Sequence, residues 1–471
     1  MSQSDSDARG MPLNAGHTAL AQRLAKDLTQ LTLEQFEPAV IAKVKTCLFD
    51  FIGCAFEARD KAWSRQALSS IQTQQARPTP HSGLADIIAT PCAAQFADAA
   101  FVNGIMGHGL VREDMHSASI SHMGVVVLPV LLALSQYRRV SGRDWVRAVV
   151  AGYEVGGKLG GALLDARVAR IHRPTGIVGP LAAAAAGACL LGLNETQTAN
   201  AIALAANTVS GFNQWAHTGG SEMYFHIGYA AANSLKAVLL AEAGAFASPS
   251  ALDGEAGLFA AHGKRAAADN VQLFTGTPEI MAVYHKPVPA CNFAQTATQA
   301  ALALVRSTAY TTADIRAITI RVPAAGAAYP GCDYTGPYAH ALQAKMSIQY
   351  NVVSALLSGS LGEANFDTLD DARMQHLLAM TQLVVDDEMT QAYPGQQGGE
   401  VAVTLVDGSR HAKRLSNVVN ATDEEVRQRF KAAVQALAGA KAAADIEALI
   451  VELHNSADAG LLAASLSLKK A

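Results

Sequence analysis

The chain has 471 residues, half of them hydrophobic and 16% charged, with 36 Lys+Arg set against 40 Asp+Glu for a formal net charge of −4. No basic run is longer than a pair such as the terminal Lys469-Lys470, so neither nucleic acid nor an anionic membrane surface is indicated as a partner. Aromatics make up only 6%, so Ala, Val, Ile and Leu carry the apolar content, which excludes a disordered chain. The length exceeds what one core usually serves and predicts two domains. So few charges on so large a body point to surface buried in a homo-oligomer. Cys47, Cys54, Cys92, Cys189, Cys291 and Cys332 are scattered without a C-x-x-C pair. A disulfide scaffold is therefore not expected, and a reducing, cytoplasmic location is.

Residues 1–16 are polar, lack the apolar stretch of a secretory signal, and read as a disordered tail. Residues 17–276 read as an all-helical domain. Thr32-Leu-Glu-Gln35 is a capping-box pattern ahead of an apolar-periodic segment reaching Phe56. Ser141 precedes a helix over 144–164, and Asn194-Glu-Thr-Gln197 opens another that continues to Ala206. The uncharged stretch Gly176 to Leu193 is at the lower limit for a membrane span. Its Ala, Gly and Pro180 instead predict a buried core helix. Tyr229 to Ala245 is a further helix.

The pattern changes over 277–418, read as an α+β domain. Ala317 to Val322 and Glu400 to Val406 alternate at period two, and Leu383 to Val385 is a third strand candidate. Asp407-Gly408 predicts a primed hairpin turn. Ala294 to Arg306 and Gln343 to Leu357 read as helices between the strands. Thr422-Asp-Glu-Glu425 is a second capping box, and residues 419–471 read as helices that rejoin the first domain.

Four polar clusters interrupt the apolar chain. The densest runs from His108 through Arg112, Glu113, Asp114 and His116 to His122, in a Gly- and Ser-rich loop. Histidines beside carboxylates suit proton transfer near neutral pH. A solvated loop is an equal reading, and a metal site a weaker one, because the spacing lacks the i,i+4 pair of a helical ligand set. Arg170-Ile-His172-Arg173-Pro-Thr175-Gly176 stands at a helix start, where an anion is favoured. Gly219 to Gly228, with Met223, Tyr224 and His226, also lies ahead of a helix. Each of these two reads equally as a helix cap with an incidental histidine. Tyr284-His285-Lys286-Pro-Val-Pro-Ala-Cys291 presents a lysine between prolines, either as a carboxylate partner or as a surface turn.

In this order the clusters resemble the MmgE/PrpD family, which includes 2-methylcitrate dehydratase, cis-aconitate decarboxylase and iminodisuccinate epimerase. Asn103-Gly104 with His108, Asp114, His116 and His122-Met-Gly124 is similar to its long first motif. His172-Arg-Pro-Thr-Gly176 resembles its H-P-T-G stretch, and His226-Ile-Gly228 with Ala230-Ala231 its L-H-x-G-x-A-A stretch. Lys286 to Cys291 resembles K-x-x-P-x-C, and Gln343-Ala-Lys345-Met-Ser347 resembles Q-A-K-F-S. The likeness runs from about residue 17 to 466.

The resemblance implies a mainly α protein: a large all-helical domain with an inserted smaller α+β lid, usually a homodimer, with no metal or other cofactor. It implies removal of a proton, or of a carboxyl group, next to a carboxylate or carbonyl carbon of a small carboxylic acid. Carried over by position, His122, His172, Lys286 and Asp114 are the catalytic candidates. Arg112, His116, His226, Arg173, Tyr224 and Gln295 are the substrate-binding candidates. Three places depart from the family pattern: Val111 replaces an aspartate, Met223 or Tyr224 a lysine, and Gln295 a histidine. Fewer charges in the pocket imply a substrate with fewer carboxylates or a bulkier apolar part. The leading expectation is a cofactor-independent lyase acting by α-proton abstraction, as a dehydratase or decarboxylase. An isomerase or epimerase of a small dicarboxylate or amino-dicarboxylate is the alternative. A catalytically degenerate metabolite-binding member is a third reading.

Overall fold

The computed structural model describes residues 18–74, 83–308 and 310–468. The expected N-terminal tail and the terminal lysine pair lie outside the described residues. The fold is mainly α, with a small sheet in the C-terminal part. The Pro174–Leu191 helix is the centre of the helical body. It is long and apolar enough to cross a membrane, yet it is buried along its whole length. The helices Gly124–Tyr137, Gly142–Leu163, Glu195–Ala206 and Glu222–Glu242 surround it. Small residues make this packing close: a Cβ on Gly152 would stand 2.9 Å from Ala186 Cβ and 3.0 Å from the Ala182 carbonyl. Alanine and glycine let the backbones approach, and each buried Leu, Ile or Val around them contributes about 1.5–3 kcal/mol.

Local signals set most helix ends. The Ser141 hydroxyl accepts from the Asp144 amide, and the helix starts at Gly142. Asn194 and Gln197 form the reciprocal cap of the Glu195–Ala206 helix. Thr32 and Gln35 cap only a 3₁₀ turn, Leu33–Gln35, and the long helix begins afterwards at Pro38, where proline is pre-set for the first helical position. The helix expected from Tyr229 starts at Glu222, so Met223, Tyr224 and His226 stand on its first turns rather than ahead of it. The helix expected over 343–357 is broken at Ser347, whose extended backbone separates Ala341–Met346 from Ile348–Ser358. The helical body also holds two short strands, Ala85–Asp86 and Ala93–Ala94, paired antiparallel.

The sheet has the order Thr381–Val385, Ile315–Val322, Gly399–Leu405, Arg410–Leu415. The first two strands are parallel, with Ile318 opposite Thr381, and the other pairs are antiparallel. The parallel pair needs a long crossover, which the helices between residues 324 and 379 supply. Ile315, Ile318, Ile320 and Val322 are the buried residues of the central strand, and the Gln295–Ser307 helix packs across the sheet. The 399–415 hairpin does not use a primed turn. The Gly408 amide donates to Leu405 at 3.0 Å, and in this loop only Gly408 has a positive φ, at 86°. That is a type I turn closed by a left-handed glycine.

The Asp423–Val451 helix, bent at Gly439, runs back along Pro38–Ala58. Phe430 meets Phe49 edge-on at 5.0 Å. A two-residue pairing, Met115 opposite Tyr284 and His116 opposite Val283, ties the histidine-rich loop to the segment carrying Lys286.

Candidate active site

The site is built where the helix Phe96–His108 ends and the chain loops before Gly124. His108 is fully buried, with Nδ1 2.6 Å from Glu113 Oε1 and Nε2 3.0 Å from Arg173 Nη2. A guanidinium only donates, so Nε2 accepts and the proton of a neutral ring sits on Nδ1, donated to Glu113. Burial, with Arg173 and Lys286 nearby, holds His108 below the ordinary histidine range. Burial alone would raise the Glu113 carboxyl, but His108, Lys286 and His122 around it draw it well below the usual carboxylate range. Glu113 is therefore an ionised hub.

His122 is the second partner of that hub. Its Nδ1 lies 2.8 Å from the Asp114 carbonyl and 3.1 Å from Glu113 Oε1. Both are acceptors, so Nδ1 carries the proton and Nε2 is the basic nitrogen. Burial and then Lys286 push its pKa well below the ordinary value, which keeps the ring neutral. The His122 amide donates to Thr175 Oγ1 at 3.0 Å, joining this loop to the start of the central helix.

His122 and Arg173 line one narrow cavity. Val111, Met115, Ile120, Met223, Phe293 and Met346 make its apolar walls, and Trp215, Cys291, Asn292 and Tyr329 complete it. Arg173 precedes the Pro174–Leu191 helix as its N-cap, so its charge adds to the positive end of that helix. Its guanidinium also lies over the Trp215 ring at 5.6 Å. Val111 and Ile120 both have positive φ, 59° and 49°. That is costly for β-branched residues and recurs where a site over-determines its backbone.

The other sequence candidates are distributed around this cavity. Lys286 is completely buried and donates to the Val111 carbonyl at 2.5 Å and the Ala290 carbonyl at 3.4 Å. It is held there by Arg429, which donates to the carbonyls of Lys286 and Pro287. Burial lowers its pKa and Glu113 opposes that. Asp114 faces away from the cavity lining: one oxygen accepts from Tyr153 and the other from the Gly124 amide at 3.3 Å. Burial raises its pKa to about 6, against the Tyr153 hydrogen bond. Arg112 makes a two-point pair with Glu57, and His116 bridges Ser119 and Glu279. Tyr224 stacks on Trp63 at 4.0 Å. His226 packs near Gly211 and Arg173, and its pKa is lowered to about 4 by burial and by Arg173.

Two candidates stand apart from the substrate space. His172 is half-buried between Phe212 and His262, off the cavity lining, and its neighbour Arg173 is the residue of that motif which faces inward. Gln295 is consumed by the Lys286–Cys291 turn. Its Nε2 donates to the carbonyls of Val288, Ala290 and Cys291, and its Oε1 accepts from the Val288 amide. Met223 and Val111, flagged as replacements of charged groups, do line the cavity. Glu113 was visible as one of a cluster of charges, but its role as the hub of two histidines depends on contacts that spacing does not encode. Asn292, Tyr329 and Trp215 carried no motif signal. Among the described residues, no group of three or more His, Cys, Asp or Glu side chains is arranged to hold a metal ion.

The MmgE/PrpD N-terminal domain model matches residues 22–270, and the MmgE/PrpD C-terminal domain model matches residues 288–455. A cis-aconitate decarboxylase-like protein of Aspergillus oryzae is 29% identical over 225 residues, 46% of this chain and 45% of that protein. The match thus spans less than half the length of that relative. Human cis-aconitate decarboxylase is 27% identical over 358 residues, 71% of this chain and 72% of its own. The mouse enzyme is 27% identical over the same length. With both domain models matched in order across the helical body and the sheet-bearing region, the chain belongs to the MmgE/PrpD family.

Proposed function

We propose that the chain is a lyase that takes a proton from the carbon next to a carboxylate, on a small acid with an apolar body. One observation carries this reading: a neutral His122 with Nε2 basic shares an apolar cavity with a single lining cation, Arg173. Arg173 binds the carboxylate in a two-point geometry, and the negative charge that develops on it as the α C–H bond breaks is stabilised in place. His122 Nε2 receives the proton. The enolate then loses a β-hydroxyl protonated by a neighbouring acid; Tyr329, whose phenol burial pushes up to about 12, is a proton donor on the same wall. Where a carboxyl group leaves as carbon dioxide in place of the α-proton, the electron pair of the broken C–C bond stays on the α-carbon, which takes a proton from the Tyr329 phenol, and the phenolate is reprotonated from water. The relatives named as cis-aconitate decarboxylases support the lyase class.

Substrate identity follows from charge. Lys286 is occupied by two carbonyls, Arg112 by Glu57, and Val111 and Met223 supply apolar wall. The inner cavity thus suits one carboxylate and an apolar body rather than a tricarboxylate. A second reading, epimerisation, is favoured by Cys291, whose thiol lines the same cavity as His122 and could deliver a proton to the opposite face. Proton NMR in deuterated water tests both readings with a panel of α-substituted carboxylic acids. A lyase releases an alkene or carbon dioxide, and an epimerase exchanges the α-hydrogen with retention of all atoms. Absence of both with His122 intact, across acids shown to bind, would defeat the reading.

A further inference from the structure

Cys291 and Cys332 are 41 residues apart in sequence, and their sulfurs meet at 3.5 Å. Both are free thiols. Cys291 lines the cavity that holds His122 and Arg173, and Cys332 is completely buried against it. The break at Ser347 brings the two together. The Cys291 amide donates to the Lys345 carbonyl at 2.9 Å, and the Cys332 carbonyl accepts from the Ile348 amide at 2.9 Å. The Cys332 amide donates to the Tyr329 carbonyl at 3.1 Å, and Gln295 Nε2 donates to the Cys291 carbonyl at 3.3 Å. With both backbones held, each cysteine has only χ1 left to turn. A disulfide needs its sulfurs at about 2.05 Å, so closing the gap is a matter of side-chain rotation. The two sulfurs are not equivalent. The Cys332 thiol donates to Cys291 Sγ and, with Lys286 and Arg173 nearby, holds Cys291 below the ordinary thiol range. Burial pushes Cys332 up. Cys291 is thus the nucleophile, and Cys332 the sulfur that resolves it. Cys47, Cys54 and Cys189 lie off this cavity, and burial raises all three thiols.

We propose that Cys291 and Cys332 are a redox modification site, which a small hydroperoxide oxidises to a disulfide and a thiol reductant restores. The Cys291 thiolate attacks one peroxide oxygen. The O–O bond breaks, and the departing hydroxide takes up the proton that Cys291 gave, as water. Cys291 then carries a sulfenic acid. Cys332 Sγ attacks Cys291 Sγ, the S–O bond breaks, and the hydroxyl leaves with the Cys332 proton as a second water. Two thiols have lost two electrons in all, and one peroxide has gained them. The new bond draws Cys291 Sγ toward Cys332 and replaces a thiol on the cavity wall by a sulfur with no proton to give. Where Cys291 supplies a proton, as in the epimerisation reading above, the oxidised chain lacks that donor. Disulfide formation itself does not rest on that reading, and the experiment follows the sulfurs alone.

The test exposes the reduced full chain to hydrogen peroxide, blocks the remaining thiols with an alkylating reagent, and reads each cysteine by mass spectrometry after digestion. The wild-type chain is expected to give one cross-linked pair of peptides, Cys291 to Cys332, lighter by two hydrogens. Dithiothreitol should restore both thiols. Cys332→Ala removes the resolving sulfur, so Cys291 sulfenic acid trapped with dimedone should rise at least about tenfold over the wild-type chain. Cys291→Ala should leave Cys332 reduced under the same exposure, because Cys332 does not line the cavity. Oxidation of Cys291 to the sulfinic acid with Cys332 intact would overturn the proposal. So would a wild-type chain in which other cysteines oxidise while this pair stays reduced, or equal dimedone labelling with and without Cys332. The wild-type result needs no substitution, so it decides the matter even where a variant does not fold.

Discussion

Arg173 and His108 meet at 3.0 Å, guanidinium Nη2 to imidazole Nε2, beneath the floor of the cavity. The contact fixes more than geometry. It forces the His108 proton onto Nδ1 and toward Glu113, which keeps that carboxylate ionised and so supports the tautomer of His122. A binding residue and a base are thereby coupled through one buried carboxylate.

Removing the cation should therefore act on ligand affinity and on the buried network together. Arg173→Met is expected to cost about 2–5 kcal/mol in carboxylate binding, the range for deleting one side of a buried charge pair. Arg173→Lys should recover only part, because a lysine cannot reproduce the planar two-point geometry. Calorimetric titration with propanoate checks both, and full affinity in the methionine variant would contradict the assignment.

Glu113 and Lys286 form the compensating charges of the site. Glu113→Gln leaves Lys286 buried without its counter-charge and is expected to destabilise the fold by about 3–5 kcal/mol. Lys286→Met should cost a similar amount for the mirror reason. The double variant removes both charges, so its loss should fall short of the sum by about 1–3 kcal/mol. Urea unfolding of the four proteins measures this coupling, and strict additivity would show that the two charges do not sense each other.

Much of this architecture was legible in the chain. Ser141 and Asn194 announce their helices because capping is local chemistry, and Ala317 to Val322 declares most of the Ile315–Val322 strand because one face is buried. Ser347 breaks its run by local chemistry, its hydroxyl accepting from the Tyr350 amide as the cap of the second helix, but a serine inside an apolar-periodic stretch reads equally as a mid-helix residue. Lys286 shows the same limit at the site. Its prolines predict rigid presentation, but its principal partner is the carbonyl of Val111, 175 residues away, and that decides between a surface turn and a buried cation. His172 and Arg173 are adjacent in sequence and carry similar chemistry. Which of the two faces inward is fixed by the turn entering the Pro174 helix, and the motif alone does not reveal it.

His172 and His122 should therefore behave differently. His172→Ala, beside Phe212 and His262, is expected to change catalytic rate by less than about threefold and stability by less than about 1 kcal/mol. His122→Gln keeps a polar side chain but removes the basic nitrogen, and should slow α-hydrogen exchange by about 10²–10⁴-fold. Exchange rates in deuterated water compare them directly, and a severe loss in the His172 variant would return that residue to the mechanism.

Stability should fall on the acid side of neutrality. His108, His122 and His226 are all held below the ordinary value of 6.5, His226 at about 4. Below that ordinary value the unfolded chain gains protons that these rings refuse, so their contribution is complete above about pH 6.5 and declines as pH drops toward 4. Asp114 has the opposite sign. Raised to about 6, it favours the folded state increasingly as pH falls from 6 toward 3.8, which offsets part of the loss. The midpoint of thermal unfolding is expected to decrease between pH 6.5 and 4, more steeply in Asp114→Asn. A flat profile in both proteins would mean that the histidines are not held neutral.

Gln295 provides the most direct test of a positioning role. It occupies the carbonyls of Val288, Ala290 and Cys291 and the amide of Val288 at once, so it holds the turn between Lys286 and the cavity wall. Leucine has nearly the same volume and none of these bonds. Gln295→Leu should therefore leave several buried backbone groups without a partner, at about 1–3 kcal/mol for each that finds no water. Because Cys291 ends that turn and lines the cavity, its thiol should also react faster with a small alkylating reagent, followed residue by residue by mass spectrometry. Unchanged labelling at Cys291, together with wild-type stability in urea, would show that the turn keeps its shape without the amide.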